Sequence, residues 1–257
     1  MRHAQIVSET DRGGIARGKR PAVLVTGASG IIGRAISLAF AATGWHIGIH
    51  YHRNTQAAGA TLEQVRADGG EGALYQADLR DSRSMRQMAE AFAKDAPQEW
   101  ACVCNAGIGA SDMLIRQRVD RWSDIIETNL TGTFHCMQAV GRILCAGNGG
   151  SIVVIGSHAG FHGTTGQAAY AASKAGLLGL MKTAALEWGP RNVRVNLLLP
   201  GWQKTPLSQS AMSDDDTRID HALHRTPSIE SVARMVVHLI QAEDVSGQIW
   251  NCDSRHL

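Results

Sequence analysis

An α/β fold is predicted for this sequence: a doubly wound, seven-stranded parallel sheet with helices on both faces. Three observations carry the prediction. Apolar strand-length runs alternate with helix-length amphipathic segments along the chain, the pattern of consecutive βαβ units. The first of these strands leads directly into a glycine-rich turn and a helix. Finally, 257 residues with 44% hydrophobic and 19% charged side chains suffice for one domain with a large core and do not require two.

The elements follow in order. Ala22-Val23-Leu24-Val25-Thr26 reads as the first strand and about Ile31 to Thr43 as its helix. A second strand is expected from Ile47 to Tyr51, with a helix near Gln56 to Asp68. A short third strand is expected near Ala73 to Gln76, and a helix from Ser84 to Lys94. Trp100 to Cys104 is the fourth strand, followed by one long helix from about Asp120 to Leu144 and a fifth strand from Ser151 to Gly156. Gln167 to Trp188 has helical composition, and Val193 to Leu199 forms the sixth strand. Trp202 to Pro227 is irregular and polar, and a helix from Ile229 to Ile240 and a short strand from Gln248 to Asn251 complete the pattern. Residues 21–257 are therefore expected to form a single domain. Residues 1–20 mix charge, His and Gly without an apolar signal-peptide core, so they read as a flexible extension or an interaction arm.

Composition narrows the function. With a net charge of +2 and no Lys/Arg block, nothing points to nucleic acid. No apolar stretch approaches the ~20 residues of a membrane span. Five cysteines without a secretion signal favour reduced thiols and a cytoplasmic setting. Cys102-x-Cys104 places two thiols on one side of a strand, and no second Cys/His pair has zinc-site spacing, so buried core thiols are expected and no metal.

Two constellations carry chemistry. Thr26-Gly27-Ala28-Ser29-Gly30-Ile31-Ile32-Gly33 joins the first strand to its helix. Glycines there permit a tight turn and close approach of the backbone to a pyrophosphate, which the free N–H groups and the positive helix end attract. This is the Rossmann-type arrangement, with Gly27, Ser29, Gly30, Ile32 and Gly33 as binding candidates. The second constellation is Ser157, Tyr170 and Lys174. Tyr170 and Lys174 lie four apart on one helix, so they share a face about one turn apart. A phenol titrates near ~10 and is a poor base at neutral pH. An ammonium about 4 Å away, at an effective dielectric near 20, is worth roughly 4 kcal/mol, or about three pKa units. Such a neighbour brings Tyr170 toward the working range of a general acid/base, and a hydroxyl at Ser157 holds a carbonyl or alcohol oxygen.

With these motifs in place, the chain resembles the short-chain dehydrogenase/reductase family from Ala22 to Asp253. Asn105-Ala106-Gly107 after the fourth strand, Asn129 within the long helix, and Asn196-x-x-x-Pro200-Gly201-x-x-x-Thr205 all match family motifs in order. Gly166 to Gly176 is especially similar to 3-oxoacyl-acyl-carrier-protein reductases. The resemblance implies that Tyr170 exchanges a proton with the substrate oxygen. Lys174 would bind the nicotinamide ribose and lower the pKa of Tyr170, Ser157 would orient the carbonyl, and Asn129 would support a water path from Lys174 to solvent. Asn105, Ala106, Gly107, Pro200, Gly201 and Thr205 would line the cofactor, and Asp78 and Leu79 would contact adenine. Two departures stand out. Gly30 comes one place early, with Ile31 where the family has glycine, a spacing that belongs to the larger, extended branch. Asp253-Ser254-Arg255 stands in place of a common Asp-Gly-Gly, which puts the usual tail packing in question.

The cofactor expectation is NADPH over NADH. An acidic residue at the end of the second strand would bind a ribose diol and repel a 2′-phosphate. Here the segment reads Ile49-His50-Tyr51-His52-Arg53-Asn54, with Tyr51 near that place. Arg53, with His52 or Arg34, would meet the phosphate, and a solvated basic loop is the competing explanation. His158, His162, His221 and His224 are either substrate contacts or loop polarity, Asp214-Asp215-Asp216 is a solvated loop or helix start, and His135 and His238 are structural. The expected reaction is reduction of a ketone, with a 3-oxoacyl thioester carried on acyl carrier protein as the most similar family substrate. Oxidation of a steroid, polyol or cyclic alcohol is the alternative, and a non-catalytic nucleotide sensor is the alternative of another class. The resemblance also implies a homotetramer or homodimer built on the two long helices.

Overall fold

The computed structural model describes residues 20–96, 99–203 and 221–255. The extension expected over residues 1–20 lies outside the described residues apart from Arg20, as do Thr205 and the Asp214-Asp215-Asp216 run. The strands are β1 (Ala22–Val25), β2 (His46–Tyr51), β3 (Glu71–Gln76), β4 (Trp100–Cys104), β5 (Gly150–Ile155), β6 (Val193–Leu199) and β7 (Ile249–Asn251). All pair in parallel in the order β3-β2-β1-β4-β5-β6-β7. The helices are α1 (Ile31–Ala41), α2 (Thr55–Ala67), α3 (Ser82–Asp95), α4 (Val119–Ile126), α5 (Gly132–Ala146), α6 (Ala159–His162), α7 (Ala168–Trp188) and α8 (Ile229–Gln241).

A parallel sheet covered on both faces needs strands that are apolar throughout, and β1 and β4 are buried along their whole length. Alternation then sorts their side chains into two cores. Ala22 and Leu24 join Cys102, Cys104 and Val154 on the face covered by α3, α5 and α7 through Phe92, Met137 and Leu177. Val23 and Val25 join Ala101, Val103 and Val153 on the face covered by α1, α2 and α8 through Phe40, Leu62 and Val236. Burying one such large apolar side chain is worth about 1.5–3 kcal/mol. A cap such as Asn54 Oδ1, which accepts from Ala57 N at 3.0 Å, adds about 1 kcal/mol, so packing dominates and capping sets boundaries. Strand order reverses beside β1, between β1 and β4, which opens a crevice at the carboxyl ends of the strands where such sheets bind ligands.

Two elements differ from expectation. β3 starts at Glu71, because Glu71 and Gly72 extend the ladder with His46 and Ile47 despite their weak strand preference. The single long helix expected from Asp120 to Leu144 is instead α4, a π-helical stretch over Glu127–Thr131, and α5. Local propensity does not encode that wider turn, and Asn129 sits within it.

Candidate active site

The nucleotide end of the site is built from backbone. Gly27 has a φ of +64°, and a Cβ there would come within 2.8 Å of Ala106 Cα, so only glycine fits. A Cβ at Gly33 would meet Gly27 O at 2.4 Å. Gly30, by contrast, has φ −88° and only an ordinary contact, Gly27 O at 3.4 Å. The early glycine is therefore not demanded by sterics, and Ile31 replaces the family glycine without a clash, 45% exposed at the helix start. Thr26 Oγ1 donates to Val103 O (3.2 Å) and accepts from Asn105 N (2.9 Å) and Ala106 N (3.1 Å), while Asn105 Nδ2 donates to Thr26 O at 2.9 Å. These bonds fasten the Asn-Ala-Gly segment onto the glycine turn. α1 has no side-chain cap at Gly30, so its first N–H groups remain available to an anion.

The end with the candidate acid/base residues lies on α7 and the loops beside it. Lys174 is buried, and its Nζ donates to Ile155 O at 2.8 Å and lies 5.7 Å from the centre of the Tyr170 ring. Burial lowers its pKa to about 8. Burial also raises the pKa of Tyr170, and a hydrogen bond with the Ser157 hydroxyl offsets part of that rise. The expected lowering of Tyr170 by the lysine is thus corrected: desolvation weakens the ammonium, which is committed to a carbonyl, and the phenol stays protonated at neutral pH. Ser157 follows β5, and its Oγ accepts from Ala159 N at 3.2 Å. Asn129 is fully buried; its Nδ2 donates to Ile108 O (2.8 Å) and Ser173 Oγ (3.2 Å), and its Oδ1 accepts from Ile108 N (2.8 Å). A Cβ on Gly107 would lie 3.2 Å from Asn129 Oδ1 and 3.8 Å from Lys174 Nζ, so the three meet at one point.

One cavity of about 610 Å³ joins both ends. Of the expected residues, Gly27, Ser29, Gly30, Ile32, Gly33, Arg53, Asp78, Leu79, Asn105, Ala106, Gly107, Tyr170, Lys174 and Pro200 line it. Ser157 and Asn129 adjoin the lining through Tyr170 and Gly107. Gly201 stands behind Pro200 at φ +71°, where a Cβ would strike Pro227 and Asp253.

Tyr51 is a correction. It sits in the core with Ile47 and Ile49, and the cavity is lined instead by His50, His52, Arg53 and Asn54. Period-two alternation from Ile47 contains that signal, which reading by family position overlooked. His50 is buried, its Nδ1 accepting from Gly27 N at 3.0 Å and its Nε2 lying 3.2 Å from Ala77 O, so it ties the glycine turn to the end of β3. Arg80 was also missed: it pairs with Asp78 at 3.0 Å, and His52 Nε2 lies 3.5 Å from the same carboxylate. Hydrogen bonding from Arg80 holds the Asp78 carboxyl below the usual range.

The tail departure has an evident replacement. Asp253 has no exposed side-chain surface and takes two bonds from the Arg255 guanidinium, the Nε one at 2.8 Å, with His221 Nε2 at 3.5 Å. Leu223 N donates to Ser254 Oγ at 3.1 Å. His158 and His162 stack at 4.4 Å between ring centres beside Ser157. His135 Nδ1 bonds Leu79 O at 2.9 Å, a structural role as expected.

Fold and site together define a dinucleotide-binding oxidoreductase with a Ser-Tyr-Lys centre. A family model described as short chain dehydrogenase matches residues 21–216, and the chain belongs to that family. It is 35% identical over 233 residues to a 3-oxoacyl-[acyl-carrier-protein] reductase of Synechocystis sp., covering 90% of this chain and 94% of that protein. It is 36% identical over 192 residues to 3-oxoacyl-[acyl-carrier-protein] reductase FabG of Staphylococcus epidermidis, covering 75% and 78%. Among solved structures, it resembles one described as a short-chain alcohol dehydrogenase from Sinorhizobium meliloti, with TM-score 0.84, 29% identity, and 92% and 96% coverage. NAD+-bound xylitol dehydrogenase is similar at TM-score 0.84 and 26% identity, with 91% and 98% coverage. The protein is an oxidoreductase acting on CH–OH and C=O groups with a nicotinamide dinucleotide. Among the described residues, no helix is long and apolar enough to cross a membrane.

Proposed function

We propose that the protein reduces 3-oxoacyl thioesters, carried on acyl carrier protein, with NADPH. The observation that carries this reading is an intact Ser157-Tyr170-Lys174 centre in a chain 35–36% identical to proteins named for that reaction. When bound, a reduced nicotinamide supplies hydride to the carbonyl carbon. Ser157 Oγ orients the carbonyl oxygen, and Tyr170 Oη gives it a proton; burial, which raises the phenol pKa, keeps Tyr170 in its protonated, donor form. Lys174 holds the ribose, and Asn129 keeps the Ile108 loop in register with it. Asp112 N donates to Gly166 O at 2.8 Å, joining the segment that presents Met113, Leu114 and Ile115 to solvent to the entrance of α7. Those apolar side chains suit an acyl chain. Arg53, exposed at the cavity rim, is the partner assigned to the 2′-phosphate, with His52 beside it.

NADPH oxidation followed by absorbance, with a 3-oxoacyl thioester beside simple ketones, tests the reading. Turnover is expected to be greatest with the thioester. Activity confined to NAD+-linked polyol oxidation would replace this substrate with the chemistry named for the xylitol enzyme. A homotetramer or homodimer is part of the same proposal, supported by Phe134 on α5 and Leu186 on α7, 41% and 80% exposed. Light scattering showing a monomer at micromolar concentration would reject it.

A further inference from the structure

Beneath the α7 lysine, on the same face of the sheet, three cysteines converge. Cys102 and Cys104 leave the same face of β4, and Cys136 reaches them from α5, which packs on that face. The three Sγ atoms all lie within 4.8 Å of one another. Cys136 is 3.9 Å from Cys102 and 3.8 Å from Cys104, and all three residues are buried. Neither the nucleotide site nor the proton-transfer residues use them.

The spacing fits a metal ion. Three sulfurs placed trigonally around an ion at a metal–sulfur distance of about 2.3 Å stand about 4.0 Å apart, the square root of three times that distance. Both measured contacts are within a few tenths of an ångström of this value, so strand and helix need hardly move. Zinc asks for four ligands. Among the described residues no further His, Cys, Asp or Glu joins the group, and burial denies it a solvent ligand. Three soft sulfurs without a fourth ligand select cuprous copper, a d10 ion with thiolate preference. We propose that Cys102, Cys104 and Cys136 form a three-coordinate thiolate site for Cu(I). Binding releases to solvent one proton per sulfur that ionises, and no oxidation state changes. The Lys174 charge, which interacts with Cys104, offsets part of the negative charge so created.

The test uses the reduced full-length chain carrying Cys145→Ser and Cys252→Ser, which removes the two thiols outside the cluster. Cu(I) is added anaerobically as its acetonitrile complex against bicinchoninate as competitor, with ultraviolet sulfur-to-copper absorption and bound copper as readouts. One equivalent is expected to bind in competition with the chelator. Adding Cys136→Ser should weaken binding at least ~100-fold, since even outer-shell changes cost metal sites 10–100-fold. Cys102→Ala serves the same purpose if the first variant does not fold, as judged by circular dichroism. If neither folds, the parent alone decides, because one bound copper should raise its melting temperature. No copper retained by the parent against bicinchoninate, or equal retention by the folded variant, overturns the proposal.

Discussion

The two ends of the cavity are held by different physics. At the inner end, Lys174 and Asn129 are buried and Tyr170 is largely covered; the first two are fixed by hydrogen bonds to backbone of other segments, and Tyr170 by the Ser157 hydroxyl. At the outer end, His52 is half-exposed and Arg53 exposed, on a turn held by the cap of α2 and by Gln76 Nε2, which donates to His52 O at 3.0 Å. Buried polar groups must be satisfied, so their neighbours are dictated and the inner geometry has little freedom. A solvated arginine is under no such demand, and its role is set by which ligand arrives. On the proposed function, the constrained end would carry the chemistry and the exposed end the choice of cofactor.

The sharpest way to break that contrast is at the inner end. Tyr170→Phe is expected to lose at least ~100-fold in turnover while keeping the fold and most cofactor affinity. Steady-state kinetics beside direct cofactor titration separates the two, and near-normal turnover would remove Tyr170 from its role. Gly27→Ala tests the backbone between the ends. A side chain in the left-handed region costs about 1–2 kcal/mol before its contact with Ala106 is counted, so cofactor affinity should fall by roughly tenfold or more. Calorimetry showing unchanged affinity would mean that the turn relaxes freely.

At the outer end the effect is smaller and selective. Arg53→Ala should weaken NADPH by about tenfold at low salt and leave NADH nearly unchanged, because an exposed charge-assisted contact sits at the low end of its range. Added salt should narrow the preference in the parent protein. An unchanged preference in the variant would shift the phosphate to His52, Arg34 or Arg80.

The smallest effect is expected in the tail. Burial alone would raise the Asp253 pKa, but its hydrogen bonds and charge pairing with Arg255, together with His221, bring it below the ordinary carboxylate value. A carboxyl lowered in the folded state contributes stability above its unfolded pKa of ~3.9, and that contribution is lost as pH falls through the folded value. Thermal melts from pH 6 downward should lose stability only as pH drops below about 4 on this account. Asp253→Asn should be less stable than the parent at pH 6 and approach it in acid. Parallel pH profiles for the two would remove the tail network from the stability of the protein.

By itself, the sequence determined the alternation of strands and helices, the glycine turn, and the Ser157, Tyr170 and Lys174 candidates. Each of these rests on local rules: side-chain period, the steric privilege of glycine at Gly27, and four-residue spacing on one helix. Local patterning likewise contained the burial of Tyr51 beside Ile49, though position in a motif suggested otherwise. Other features belonged to tertiary structure alone. The π-helical turn at Asn129, the contact of His50 with Gly27, the pairing of Arg80 with Asp78 and the meeting of Cys136 with β4 join residues whose proximity no short window encodes. Tertiary burial also set the direction in which the pKa values of Tyr170 and Lys174 move. Spacing predicts that a charge is near, but desolvation, which depends on everything packed around it, sets how much of that charge is felt.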